Sequence, residues 1–221
     1  MALLTIIGAG PGLGAATARR FAREGFAVAL ISRSPDKLDD LRDELTATGV
    51  SAHSFAADVT DSTALRTALR SVADELGPIE VLQYSPAPRP TFLRPVLETD
   101  IDDLRAATEF SIIAPVTAVQ TVLPGMEQLG RGTILLVNGA SAATPNGKVA
   151  GTSIAFAGES AYGVMLHQAL APRNIHVGQL IVPGAIGGGD PLFAPDALAD
   201  RLWRIHTERG PLRTTVGTDP A

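Results

Sequence analysis

Within seven residues, Gly8-Ala9-Gly10-Pro11-Gly12-Leu13-Gly14 places four glycines between an apolar run, Leu3 to Ile7, and a helical pattern from Ala15 to Gly25. A strand that turns through glycines into a helix brings backbone amides and a helix N-terminus up to a phosphate, since no side chain blocks the approach. Gly8, Gly12, Leu13 and Gly14 are therefore candidate pyrophosphate contacts. At the end of the second apolar run stands Leu30-Ile31-Ser32-Arg33-Ser34, with no carboxylate before Asp36. A guanidinium flanked by two hydroxyls suits an added phosphate and would leave a bare ribose diol without an acceptor.

Other chemistries are excluded or unsupported. The chain has no cysteine, so thiol nucleophiles, thiolate metal sites and disulfides are out. His53, His167, His176 and His206 are scattered without metal-ligand spacing, and no metal site is expected. With 18 basic against 23 acidic side chains, nucleic acid is not an expected partner. The six-residue apolar run Ala2 to Ile7 has no basic residue ahead of it and is too short for a signal peptide or a spanning helix. The expectation is a cytoplasmic protein with no membrane partner.

The elements that must position these residues alternate. Apolar runs at Leu3 to Ile7, Phe26 to Ser32, Ser51 to Ala57, Ile79 to Tyr84, Thr133 to Asn138 and Ile175 to Val182 read as strands. Helical patterns lie between them: Ala15 to Gly25, from Pro35 to about Thr48, Asp61 to Leu76, about Asp100 to Leu129, and about Thr152 to Leu170. Pro115 should kink or break the fourth helix. Strands apolar throughout need both faces covered, which predicts an α/β fold, a doubly wound parallel sheet (Rossmann fold) of six or seven strands. A helix from Pro195 to Glu208 and a short last strand, Thr214 to Val216, complete one domain spanning 1–221. Gly187-Gly188-Gly189 predicts a mobile lid, and the lid and the C-terminal helix together span about 185–210. Trp203 reads as an anchor for the last helix, and Tyr162, Leu166 and Leu170 share a helical face suited to a core or a subunit interface.

The spacing of Gly8, Gly12 and Gly14 resembles the short-chain dehydrogenase/reductase family, and more of the chain agrees, over roughly residues 3–190. Asp58-Val59 is similar to that family's adenine-contacting pair. Leu82-Gln83-Tyr84-Ser85-Pro86-Ala87 takes the place of its Asn-Ala-Gly segment, which puts Ser85 at the cofactor. Leu136-Val137-Asn138-Gly139-Ala140-Ser141 resembles the strand leading to its catalytic serine. Pro183-Gly184-Ala185-Ile186 resembles the Pro-Gly turn after strand six, which adds Pro183, Gly184 and Ile186 to the cofactor contacts. The resemblance implies a nicotinamide dinucleotide, and Ser32-Arg33 favours NADP(H) over NAD(H).

The family's acid/base is a Tyr assisted by a Lys four residues later, because a free phenol with pKa about 10 is a poor base near neutrality. Here the 18 basic residues include only two lysines, Lys37 and Lys148, preceded at that spacing by Arg33 and Thr144. Tyr84 and Tyr162 are followed at that spacing by Pro88 and Leu166. Counting back from Leu170-Ala171-Pro172-Arg173-Asn174-Ile175 places Thr152 and Phe156 at the Tyr and Lys positions; counting forward from Ser141 places Ile154 and Gly158 there. Ser111 stands where the family has a helix Asn. Only Ser141 matches.

Two functions follow. One is an NADP(H)-dependent oxidoreductase acting on a small carbonyl or alcohol with a non-standard active site. The other is a catalytically silent relative that binds the dinucleotide as a sensor or structural subunit. An S-adenosylmethionine-dependent transferase is disfavoured, because its ribose wants an acid where Ser32-Arg33 stands. Tyr84 and Lys148 read as a packed aromatic and a solvated loop charge. Pro86, Pro90, Phe92, Leu192 and Phe193 are expected to line an apolar mouth for a small-molecule substrate. A homo-oligomer, dimer or tetramer, through helices four and five is what the resemblance implies.

Overall fold

The computed structural model describes residues 1–218. Seven strands form one parallel sheet in the order β3-β2-β1-β4-β5-β6-β7. They are β1 (Leu3–Ile7), β2 (Ala27–Ser32), β3 (Ala52–Ala56), β4 (Val81–Tyr84), β5 (Gly132–Gly139), β6 (Ile175–Val182) and β7 (Arg213–Thr215). The helices are α1 (Leu13–Ala22), α2 (Pro35–Ala47), α3 (Ser62–Leu76), α4 (Ile101–Thr108), α5 (Ala114–Leu129), α6 (Ala150–Leu170) and α7 (Pro195–Glu208).

Strand alternation sorts the core into two layers. Leu3, Ile7, Ala29, Leu82 and Leu136 face α3, α5 and α6, while Leu4, Ile6, Val28, Leu30 and Leu135 face α1, α2 and α7. Every residue of β1 and β6 is buried, as a strand covered on both faces requires. Trp203 of α7 packs edge-on against Phe21 of α1 and Phe26, at ring distances of 5.0 and 6.0 Å, and the Arg20 guanidinium lies 4.6 Å over it. The last helix is anchored there.

The long fourth helix is interrupted. A π turn, Glu109–Ile113, separates α4 from α5, and Pro115 follows at once. Proline has no N–H for the carbonyl of Ser111, and the wider turn absorbs that missing bond. By length and composition alone, residues Ile101–Leu129 could cross a membrane, yet half of the apolar window is buried inside this fold. Helix α6 begins at Ala150, ahead of the expected Thr152, and β7 sits one residue earlier than the sequence pattern places it.

Strand order reverses between β1 and β4. At that point Gly8 has φ +89°, and a Cβ on it would lie 2.3 Å from Cα of Pro86. Only glycine lets the ends of the two strands approach so closely. The crevice above this reversal is where a doubly wound sheet binds its ligand.

Candidate active site

A cavity of about 580 Å³ opens beyond the carboxyl ends of β1, β4, β5 and β6. Its floor at one end is the glycine turn. Helix α1 starts at Gly12 with neither a side-chain cap nor an acidic residue in its first turn, so its first amides stay available to an anion. A Cβ on Gly12 would meet nothing within 4 Å, so the cavity lies over that backbone. Gly14 is the packing glycine, 3.1 Å from Ala9 Cα by the same construction. Gly8, Gly12, Leu13, Gly14, Ser85, Ser141, Pro183, Gly184 and Ile186 all line the one cavity, and Asn138, Thr152 and Phe156 join them. Its uncapped helix start and open glycine backbone suit a pyrophosphate.

Ser141 and Thr152 choose between the two registers. Ser141 Oγ donates to Thr152 Oγ1 at 3.4 Å, and Thr152 also donates to the Val149 carbonyl at 3.1 Å. Ile154 is turned outward, 51% exposed, and Gly158 packs under Ile112. Thr152 and Phe156, one turn apart, are thus the α6 residues that face the cavity. Among the described residues, no side chain lining the cavity is ionisable.

A buried polar chain runs behind this wall. Asn138 Nδ2 donates to Glu159 Oε2 at 2.9 Å, and Gln179 Nε2 donates to Asn138 Oδ1 at 2.8 Å and to Ser160 Oγ at 2.7 Å. Ser160 Oγ donates to the Ala142 carbonyl at 3.2 Å, next to Ser141. Burial pushes the Glu159 carboxyl up to about 8, against the opposing pull of the Asn138 hydrogen bond. Its Oε1 is buried without a hydrogen-bond partner. Glu159 is the one acidic residue in the 21-residue α6, an anomaly visible in the sequence that points inward rather than to solvent.

The adenosine-side candidates lie apart from that cavity. Ser32 ends β2, Arg33 follows it exposed, and the Ala57 amide donates to the Ser32 carbonyl at 3.0 Å, which brings Asp58 alongside Arg33. Val59 is buried in the core. Asp58 Oδ1 accepts from the Thr60 amide at 2.9 Å and hydroxyl at 2.8 Å. Its Oδ2 meets Arg89 Nη2 at 3.3 Å. Burial pushes the Asp58 carboxyl up, but the Thr60 hydrogen bonds and the charges of Arg89 and Arg33 outweigh it, and the carboxyl ends below its ordinary range. Nothing in the sequence pattern signals Arg89, because it reaches Asp58 only across the crevice.

Several expected mouth residues are elsewhere. Phe92 turns into the core, 1% exposed with its ring 5.4 Å from Phe110. Phe193 covers Gly184 from outside, while Leu93, Val149, Phe156 and Ile186 supply the apolar wall. Gly151 of α6 lets the Phe92 backbone lie close against that helix, where a Cβ would come within 2.9 Å of Phe92 Cα. The Tyr84 hydroxyl donates to the Phe110 carbonyl, and burial, aided by the charges of Glu159 and Asp58, pushes its pKa well above the ordinary phenol. Lys148 is exposed. Ser111 is buried in the π turn. No group of three metal-ligating side chains exists among the described residues.

The chain belongs to the short chain dehydrogenase family, whose profile matches residues 2–189. This is a family of oxidoreductases. Over 186 residues the chain is 31% identical to the 2,3-dihydro-2,3-dihydroxybenzoate dehydrogenase of Bacillus subtilis (strain 168), covering 81% of this chain and 68% of that one. It spans from 10% to 68% of the length of the first three curated relatives it matches. The crystal structure of a short-chain dehydrogenase from Rhodopseudomonas palustris superposes with a TM-score of 0.86 at 25% identity, covering 100% of this chain and 99% of that one. A metagenomic short-chain oxidoreductase solved with NADP shares the fold, with a TM-score of 0.85 at 23% identity over 100% of this chain and 97% of that one.

Proposed function

We propose that this protein is an NADP(H)-dependent oxidoreductase for a small, largely apolar carbonyl or alcohol, working without a tyrosine acid/base. The observation that carries the reading is the single cavity that joins the uncapped start of α1 to the Ser141–Thr152 hydroxyl pair. The dinucleotide, when bound, supplies the hydride. The amides at Gly12, Leu13 and Gly14 hold its pyrophosphate, and Arg33 with Ser32 holds the ribose phosphate. Ser85, Pro183, Gly184 and Ile186 wall the cleft. Ser141 Oγ and Thr152 Oγ1 hold the substrate oxygen between them and stabilise the charge that develops on it. Their protons exchange with solvent through the open mouth, since no lining side chain titrates near neutrality. Leu93, Val149 and Phe156 exclude water around the reacting carbon.

A panel of small aldehydes and ketones with NADPH, followed by cofactor consumption, tests the reading. Turnover that disappears in S141A supports it. Tight NADPH binding with no turnover on any carbonyl would instead support the silent alternative, which the absence of an ionisable wall residue favours.

The protein also works as a homo-oligomer, a dimer or a tetramer, in this reading. The outer face of α6 presents Ile154, Ala157, Ala161, Val164 and Met165 with no charge among them, beside Ile113 at the π turn before α5. A patch of that kind is costly to leave in water. Sedimentation showing only monomer at micromolar protein contradicts it.

A further inference from the structure

The adenosine end of the cleft holds three charges, of which the sequence pattern accounts for two. Arg33 and Asp58 are brought side by side by the Ala57-to-Ser32 backbone hydrogen bond of 3.0 Å. A bare carboxylate beside a phosphate subsite opposes binding of the phosphate, and its charge interacts with that of Arg33 and spends part of the Arg33 field as well. Arg89 enters from the loop after β4, where Pro86, Pro88 and Pro90 stiffen the backbone. Its Nη2 lies 3.3 Å from Asp58 Oδ2 and 3.5 Å from Thr60 Oγ1, and its Nε is buried with no partner among the described residues. The pair is half-buried, at 35% and 37% side-chain exposure, so water screens it incompletely.

We propose that Arg89 is a specificity-determining residue that acts through Asp58: it cancels the carboxylate's charge beside the Arg33 subsite and so favours a dinucleotide carrying a 2′-phosphate. With Arg89 the three side chains sum to one positive charge, and without it to none. Arg89 is a positioning residue and need not touch the ligand. The inference rests on the NADP(H) reading given above.

Calorimetric titration of NADPH and NADH into wild type, R89A, R89K and the D58N/R89A double variant tests it at low and at high salt. The readout is the ratio of the two affinities, in which contacts common to both nucleotides cancel. R89A is expected to lose on the order of tenfold of the NADPH preference at low ionic strength, and less at high salt, because a screened charge acts weakly. R89K keeps the preference, and D58N/R89A regains it, since no carboxylate is left to cancel. An R89A ratio equal to that of wild type overturns the proposal, as does a double variant that stays as poor as R89A. Wild type that prefers NADH, or binds neither nucleotide, overturns the cofactor reading itself and this inference with it.

Discussion

Ser141 and Thr152 approach each other hydroxyl to hydroxyl, 3.4 Å apart, in one wall of the cleft. One comes from the turn after β5 and the other from the first turn of α6. The cleft presents these two aliphatic hydroxyls and, one helical turn on, the ring of Phe156. Each hydroxyl carries one proton, given in this structure to Thr152 and to the Val149 carbonyl; both can rotate to donate to a carbonyl oxygen in the cleft, but neither can hold a proton in reserve.

Removing either hydroxyl should therefore slow turnover without loosening the nucleotide. Ser141→Ala and Thr152→Val are each expected to lower kcat by about 100- to 1000-fold, the scale of one oxyanion donor. NADPH affinity, read by calorimetry, should stay within about twofold of wild type.

The cavity wall also predicts the pH profile. With no ionisable lining residue among those described, kcat/KM should change by less than about threefold between pH 6 and pH 9. A limb of unit slope inside that range would place a titrating group in the chemistry.

Stability should depend on pH through Glu159. Its carboxyl titrates at about 8 when folded against an ordinary 4.5, so between those values the folded chain holds a proton that the unfolded chain has released. Stability from this group falls as pH rises through that window. His176, lowered by burial first and by nearby positive charge to about 4, and His206, lowered mainly by burial, act oppositely below 6.5. Between pH 6.5 and 8 Glu159 acts largely alone, and wild type should lose about 2 kcal/mol of unfolding free energy. Glu159→Gln, which can keep the hydrogen bond from Asn138, should flatten that slope in denaturant titrations.

Gly12 offers a test of the phosphate cradle that spares the fold. No protein atom lies within 4 Å of a Cβ built there, and the cost of Gly12→Val is confined to a backbone at φ −85°, ψ −112° that side chains disfavour, so the melting temperature should fall by several degrees with the fold retained. Its side chain would project where a pyrophosphate must approach, and nucleotide affinity should drop at least about 100-fold. By contrast, Gly8→Val drives a Cβ into Pro86 and should unfold the protein.

The periodic apolar runs made the sheet, its parallel sense and nearly every helix legible, because burial on two faces leaves an unmistakable pattern in β1, β2 and β6. The glycine turn and the Pro183-Gly184 turn were legible for the same local reason. What was not legible depended on contacts between distant segments. Thr152 could be told from Ile154 only once α6 packed on β5 and turned one of them toward Ser141. Phe92, apolar beside a Pro-rich loop, suits a mouth as well as a core, and only its ring contact with the distant Phe110 decides between them. Arg89 was silent in the sequence because its partner lies 31 residues away across the crevice.

Selectivity of the cleft for a phosphorylated dinucleotide is decided by a side-by-side calorimetric titration of NADPH and NADH into the wild-type protein. Saturable binding of one nucleotide per chain is expected, with NADPH at least about tenfold tighter and Arg33→Ala reducing that margin. Equal affinity for the two, tighter binding of NADH, or a margin unmoved by Arg33→Ala would contradict it.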